Sequence, residues 1–212
     1  MIGRGYKLGA YASARQKIKN GLLNSLGLFG NAPYSYTLLI SPDGNNVYIQ
    51  GSGSTAQFSR NTSTGLLTAL TPATVVSGNS AYAWTIAISP DGLSVYTIDV
   101  NTNVLSHFSR NTSTGLLTLI GNYAVNWANP YGITISSDGL FVYVATAYNG
   151  MLAIFPRNTS TGTLGQITGA AIPGSISLAT ISPDGKFIYI PVTTTNLIYQ
   201  YSRNTSTGLL TS

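Results

Sequence analysis

The sequence has no cysteine, no glutamate and a single histidine, His107. Without cysteine there is no disulfide scaffold, thiolate zinc site, iron–sulfur cluster or thiol nucleophile. Without glutamate there is no Glu/Glu pair of the kind common in sugar hydrolases. Charged residues are 7% of the 212 positions, against about a quarter in an ordinary globular domain. No segment approaches the ~18 consecutive apolar residues that a membrane-spanning helix requires. The 43% of hydrophobic residues are enough for a core, and the length suits one domain with a short arm.

The few charges are segregated. Residues 1–30 carry Arg4, Lys7, Arg15, Lys17 and Lys19 and no acid. From residue 31 onward Arg60, Arg110, Arg157, Lys186 and Arg203 balance Asp43, Asp91, Asp99, Asp138 and Asp184. A neutral body has no electrostatic reason to seek nucleic acid, so no specific nucleic-acid partner is expected. The five basic residues of the arm are expected to anchor the chain to other protein chains, the plain alternative being a solvated terminus. Gly21–Gly30 is apolar but interrupted by Asn24 and Ser25, and no small-x-small cleavage site follows it, so no signal peptide is expected.

Two strings recur in step. I-S-P-D-G stands at Ile40–Gly44, Ile88–Gly92 and Ile181–Gly185, and I-S-S-D-G at Ile135–Gly139. Their aspartates are 48, 47 and 46 residues apart. R-N-T-S-T-G begins at Arg60, Arg110, Arg157 and Arg203, 17 residues after the aspartate in the first copy and 19 in the others. Each copy reads as four short strands, a to d. Strand a alternates, as in Leu38 and Ile40 or Ile86 and Ile88, which is the period of a half-buried strand. Pro-Asp-Gly then closes a tight turn. Strand b carries a β-branched residue and a tyrosine, at Val47-Tyr48, Val95-Tyr96, Val142-Tyr143 and Ile188-Tyr189. Strand c ends on Phe58, Phe108, Phe155 or Tyr201, two residues before the arginine. Strand d is expected at Leu66-Leu67, Leu116-Leu117, Thr163-Leu164 and Leu209-Leu210.

Four antiparallel strands per repeat of this length make an all-β fold, a β-propeller whose blades stack because one blade cannot bury both faces. The S-P-D-G, V-Y, aromatic-ended strand and T-G-x-L elements over residues 31–212 resemble the lactonase-type seven-bladed β-propeller family. The wording of the N-T-S-T-G-L-L-T copies is also similar to repeat proteins of phages and environmental bacteria. Four repeats are complete, at about 31–78, 79–126, 127–172 and 173–212, after a basic arm over 1–20 and an extra outer strand and linker over 21–30. Gly21–Leu26 matches Gly65–Leu70, hence the extra strand. Three closures stay open: a four-bladed ring with a spare strand, an arc completed by a second chain, or part of a longer propeller. An open arc would expose an apolar blade face, so an oligomer is expected.

Chemistry is sparse. His107 shares its register with Gln57, Ile154 and Gln200, and is read as an ordinary strand residue. The turn aspartates are read as caps of their own backbone, Asp99 as a solvated loop residue, and the repeated arginines as a surface ladder or a stack on the preceding aromatic ring. No catalytic residue, metal ligand or cofactor is expected. The family resemblance implies hydrolysis of a sugar lactone at the central channel by charged groups, which this sequence supplies poorly. The opening of strand a carries Tyr36, Trp84, Tyr131 and Ser177, with Tyr34 and Tyr82 two residues earlier. These aromatics are candidates for a glycan- or protein-docking surface, the alternative being inter-blade core. The resulting expectation is a non-enzymatic binding or structural module, extracellular or on a virion surface as a capsid decoration or tail-associated protein. The alternative is a lactonase-like hydrolase.

Overall fold

The computed structural model describes residues 35–51, 53–76 and 83–211. The basic arm and the strand copy at 21–26 lie outside these residues. Blade 1 comprises β1 (Ser35–Ile40), β2 (Asn46–Gly51), β3 (Thr55–Arg60) and β4 (Leu67–Val75). Blade 2 comprises β5 (Ala83–Ile88), β6 (Ser94–Asp99), β7 (Val104–Arg110) and β8 (Leu117–Ala124). Blade 3 holds β9 (Pro130–Ile135), β10 (Phe141–Thr146), β11 (Met151–Pro156) and β12 (Thr168–Ala171). Blade 4 holds β13 (Thr180–Ile181), β14 (Phe187–Val192), β15 (Leu197–Arg203) and β16 (Leu210–Thr211). Each blade is a separate antiparallel sheet in sequence order, and no helix occurs among the described residues. β1 packs beside β5, β5 beside β9 and β9 beside β13, so the first strands line the inner side of the series.

The a–b turns sit at Asp43, Asp91, Asp138 and Asp184 as the repeat requires. The following glycines, Gly44, Gly92, Gly139 and Gly185, have φ of 71–73°, open to glycine and strained for other residues. One expectation needs correcting. In the third copy strand d starts at Thr168, and Leu164 makes only a single bridge to Arg157. The cause is Pro156, which stands where blade 2 has Ser109 and has no N–H to give to the ladder; only the reverse bond of that pair forms, from Gly165 N to the Pro156 carbonyl at 2.7 Å.

Packing lies between the blades. Tyr48 of blade 1 meets Ile86, Val95, Phe108 and Leu117 of blade 2. Tyr96, Ile98 and Leu105 of blade 2 meet Val142, Val144, Ala153 and Phe155 of blade 3. Phe141, Tyr143, Leu152 and Ile154 of blade 3 meet Ile188, Ile190 and Val192 of blade 4. Full burial of each such side chain contributes roughly 1.5–3 kcal/mol.

The repeated arginines fasten these seams, and they are not a surface ladder. Arg110, Arg157 and Arg203 are buried to 5%, 4% and 4% exposure. Each donates Nε to the phenol of the preceding blade, at 2.9 Å to Tyr48, 3.0 Å to Tyr96 and 2.7 Å to Tyr143. Each donates Nη2 to the turn aspartate of that blade, at 2.7 Å to Asp43, 2.8 Å to Asp91 and 2.9 Å to Asp138. Nη1 goes to the turn carbonyl of its own blade, Gly92, Gly139 or Gly185. The phenols in turn donate to the carbonyls of Gly115, Gly162 and Gly208 in the next blade's N-T-S-T-G corner. A Cβ on Gly162 would stand 2.0 Å from Ser94 Oγ, so glycine alone permits this approach.

The aspartates do cap their own turns, as expected, but with one oxygen only. Asp91 Oδ1 accepts from Ser89 Oγ and Leu93 N, and Oδ2 takes the arginine. Desolvation alone would raise the Asp43 pKa; hydrogen bonds from Ser41, Asn45 and Arg110, and the Arg110 charge, outweigh it and hold the carboxyl at about 2. Burial raises the phenol pKa of Tyr48, Tyr96 and Tyr143 despite the adjacent guanidinium, so they remain donors at neutral pH.

Arg157→Ala should lower stability by roughly 3–5 kcal/mol, because it leaves buried partners uncompensated. Arg60 reaches only Gly44 O among the described residues, at 3.1 Å. Arg60→Ala should therefore cost about 1 kcal/mol or less. Urea midpoints of the two variants measure the difference, and equal losses would contradict the seam role.

Candidate functional site

The strand pairing defines two ends. The Asp-Gly turns, the N-T-S-T-G corners and the arginines share one rim. Ala83 pairs with Asp99 and Pro130 with Thr146, so the starts of strands a lie with the b–c loops at the other end, the channel mouth. There Trp84 and Tyr131, equivalent residues of adjacent blades, have ring centroids 5.2 Å apart and planes inclined by 48°. Trp84 is half-buried and Tyr131 is exposed. Tyr36 falls in β1, but its side chain, like Tyr34 and Tyr82, lies outside the described part of the structure. Beyond Tyr131 the aromatic run stops, and blades 3 and 4 approach closely there: a Cβ on Gly132 would stand 2.9 Å from Leu178 Cα. Ser177, half-buried, occupies the register there. Strands a are tied to one another by Thr37 Oγ1, which donates to Trp84 O at 3.2 Å, and by Thr134 Oγ1, which donates to Ala179 O.

Asp99 is not a solvated loop residue: it is 2% exposed. Its Oδ1 accepts from Asn101 N at 2.9 Å and Thr102 N at 3.1 Å, which fixes the b–c loop beside Trp84. The signal was legible, since Asp followed by polar residues two and three positions on is an Asx-turn pattern. Among the described residues no three His or Asp side chains gather as metal ligands.

His107 is fully buried in the seam between blades 2 and 3, away from the mouth. It stacks on Tyr96 with centroids 4.9 Å apart, and Nε2 is 3.3 Å from Ser94 Oγ. Nδ1 has no hydrogen-bond partner among the described residues. Its register mate Gln57 spans the previous seam, where Oε1 accepts from Leu117 N at 2.7 Å. At the His107 seam, Tyr123 serves the equivalent amide, accepting from Leu164 N at 3.1 Å. Burial first, and the Arg157 charge second, lower the His107 pKa to about 4, so the ring is neutral at pH 7.

The family model described as Lactonase, 7-bladed beta-propeller matches residues 70–179, just over half of the chain. The chain belongs to this family. Among solved structures, a periplasmic gluconolactonase of Pseudomonas aeruginosa superposes with a TM-score of 0.73 at 18% identity, over 84% of this chain and 52% of that one. A candidate 6-phosphogluconolactonase of Bacteroides fragilis gives a TM-score of 0.73 at 24% identity, over 84% of this chain and 53% of that one. Hydrazine synthase of Kuenenia stuttgartiensis gives 0.64 at 20% identity, over 91% and 52%. At these identities the likeness is one of fold, and the chain spans about half the length of each. No curated protein matches the chain significantly. The expectation of a non-enzymatic module is overturned by this family and by neighbours described as lactonases, and nothing found points to a virion. The resemblance to the lactonase-type propeller family is borne out by the family match; the non-enzymatic expectation weighed the absent Glu and the isolated His above the repeat that carries that resemblance.

One consequence of the seam chemistry is an acid-sensitive stability. The unfolded chain binds the imidazole proton near pH 6.5 and the folded chain only near about 4. Between those values the unfolded state holds more protons, so stability falls as the pH is lowered through the window, by up to roughly 3 kcal/mol. His107→Gln should flatten the urea-midpoint profile between pH 6.5 and 4 and keep the further loss from about pH 4 down to about 2, where Asp43 takes up its proton. An unchanged slope would show that His107 is not the titrating group.

Proposed function

We propose that the chain forms part of a lactonase-type propeller that hydrolyses a sugar lactone at the channel mouth. The reading is carried by the family match over residues 70–179. In the reaction water adds to the lactone carbonyl, the ring C–O bond breaks, and the ring oxygen takes a proton to leave a hydroxy acid. The contribution assigned to the described blades is binding. Trp84 and Tyr131 offer adjoining aromatic faces at the mouth, and such faces stack on the C–H surface of a sugar ring. Asp99 holds the neighbouring b–c loop.

The substrate class follows from where the charges lie. Arg110, Arg157 and Arg203 are committed to the seams, and Arg60 and Lys186 stand at the same rim. The described mouth therefore presents no guanidinium or ammonium for a phosphate, which favours an unphosphorylated aldonolactone. Lactone opening followed by acid release in a pH-stat tests this. The expected result is turnover of gluconolactone above its spontaneous rate, with a 6-phosphorylated lactone the poorer substrate. Trp84→Ala should raise KM about tenfold or more, with a smaller effect on kcat. Hydrolysis no faster than the spontaneous reaction would overturn the reading.

A further inference from the structure

We propose that Asn103 is a positioning residue of the mouth: its side-chain oxygen sets the backbone that carries Tyr131, and with it the separation and tilt of the Trp84 and Tyr131 rings. The inference deepens the lactonase reading. It rests on that reading for the ligand, a neutral sugar lactone, but not for the geometry.

One loop joins the two rings. It leaves β6 at Asp99, which pairs with Ala83 next to Trp84, and enters β7 at Val104. Asp99 Oδ1 holds the first half of the loop through Asn101 N and Thr102 N. Asn103, the last residue before β7, has φ of 55°, a left-handed conformation in which asparagine is enriched over other side chains. Both of its oxygens meet the connection between blades 2 and 3. The Asn103 carbonyl accepts from Val125 N at 2.8 Å, and Oδ1 accepts from Asn129 N at 3.0 Å. Asn103 therefore grips residues 125–129 at both ends. Between those ends Trp127 lies over blade 3, where a Cβ on Gly169 would stand 2.6 Å from its ring. Asn129 also has a positive φ, 57°, and its carbonyl accepts from Ala147 N at 2.8 Å. Pro130 and Tyr131 follow directly. The proline ring fixes its own φ, so a displacement of Asn129 is passed on to Tyr131 rather than absorbed between them.

The next blade shows that the fold itself does not require the side-chain bond. Gly150 takes the same place before β11, with φ of 57°, and its carbonyl accepts from Ile172 N at 2.6 Å, as Asn103 O does from Val125 N. A side chain is excluded there, because a Cβ on Gly150 would stand 2.2 Å from Ile172 O. The connection that Gly150 serves is tied instead through Ser175, which donates to Ala147 O and to Thr194 Oγ1, and it leads to Ser177. The carbonyl bond thus recurs from blade to blade. The side-chain bond stands ahead of Tyr131, where an aromatic ring is held against its neighbour.

Two substitutions isolate the side-chain oxygen. Asn103→Gly keeps the positive φ and the carbonyl bond and removes only Oδ1, whereas Asn103→Asp keeps an acceptor in its place. With gluconolactone, Asn103→Gly is expected to raise KM about threefold or more with kcat changed by less than about twofold, and Asn103→Asp to keep KM within about twofold of the wild type. The chain has two tryptophans, so labelling with 5-fluorotryptophan gives two fluorine resonances, and Trp84→Phe identifies that of Trp84. Tyr131→Leu gives the shift that accompanies loss of the ring contact. Asn103→Gly should move the Trp84 resonance in the same direction, and Asn103→Asp should leave it in place, with thermal melting used to verify that each variant is folded. A Trp84 resonance unmoved by Asn103→Gly would overturn the proposal, and so would an equal rise of KM in Asn103→Asp. A wild type that hydrolyses no lactone would sink the lactonase reading instead, and the resonance would then decide by itself whether Asn103 positions the rings.

Discussion

The structure depends on one cation placed across a seam. A guanidinium has donors in a fixed planar fork, and in Arg110, Arg157 and Arg203 each is satisfied in the same order: a phenol, a carboxylate of the preceding blade and a turn carbonyl of its own blade. Burial raises the cost of separating these groups and strengthens their attraction while they remain together. The aromatic and aliphatic contacts beside them supply non-directional burial. The arginine supplies register, because a blade displaced along its strand by one residue would move the fork from both its phenol and its carboxylate.

That arrangement shapes what remains for function. Nearly all the sparse charge of the described blades lies at one rim, and the aspartates there are held ionised by their own turns and by the arginines. The opposite end is left with aromatic and small polar groups: Trp84 and Tyr131 in contact, and loops braced by their own hydrogen bonds. The seam chemistry is thereby confined to one end of each strand, apart from the aromatic end.

Much of the fold was legible because two markers recur in step. The Asp-Gly turns, the period-two strands and the tyrosine after each β-branched residue fell where the repeat put them. The seam was not legible as such, although its parts were: a recurring arginine and aspartate were each assigned a local role, since sequence spacing does not show which blade a side chain faces. Asp99 was misplaced for another reason: the Asx-turn pattern that follows it was readable and was passed over. Strand d of blade 3 shifted because Pro156 removes a donor at one ladder position, a local effect overlooked beside the regularity of the repeat. At the mouth the Trp84 and Tyr131 register was readable, but their ring contact required the geometry of adjacent blades.

The central claim is that the arginine and aspartate act as one unit across the seam, and a double-mutant cycle on Asp91 and Arg157 tests it most directly. Equilibrium unfolding would be measured for Asp91→Asn, Arg157→Met and the double variant at pH 7. The account predicts a coupling of roughly 1.5 kcal/mol or more, with the double variant far less destabilised than the sum of the singles. A coupling near zero, with additive losses, would mean that the blades are held by apolar packing alone and that the repeated arginines are incidental to it.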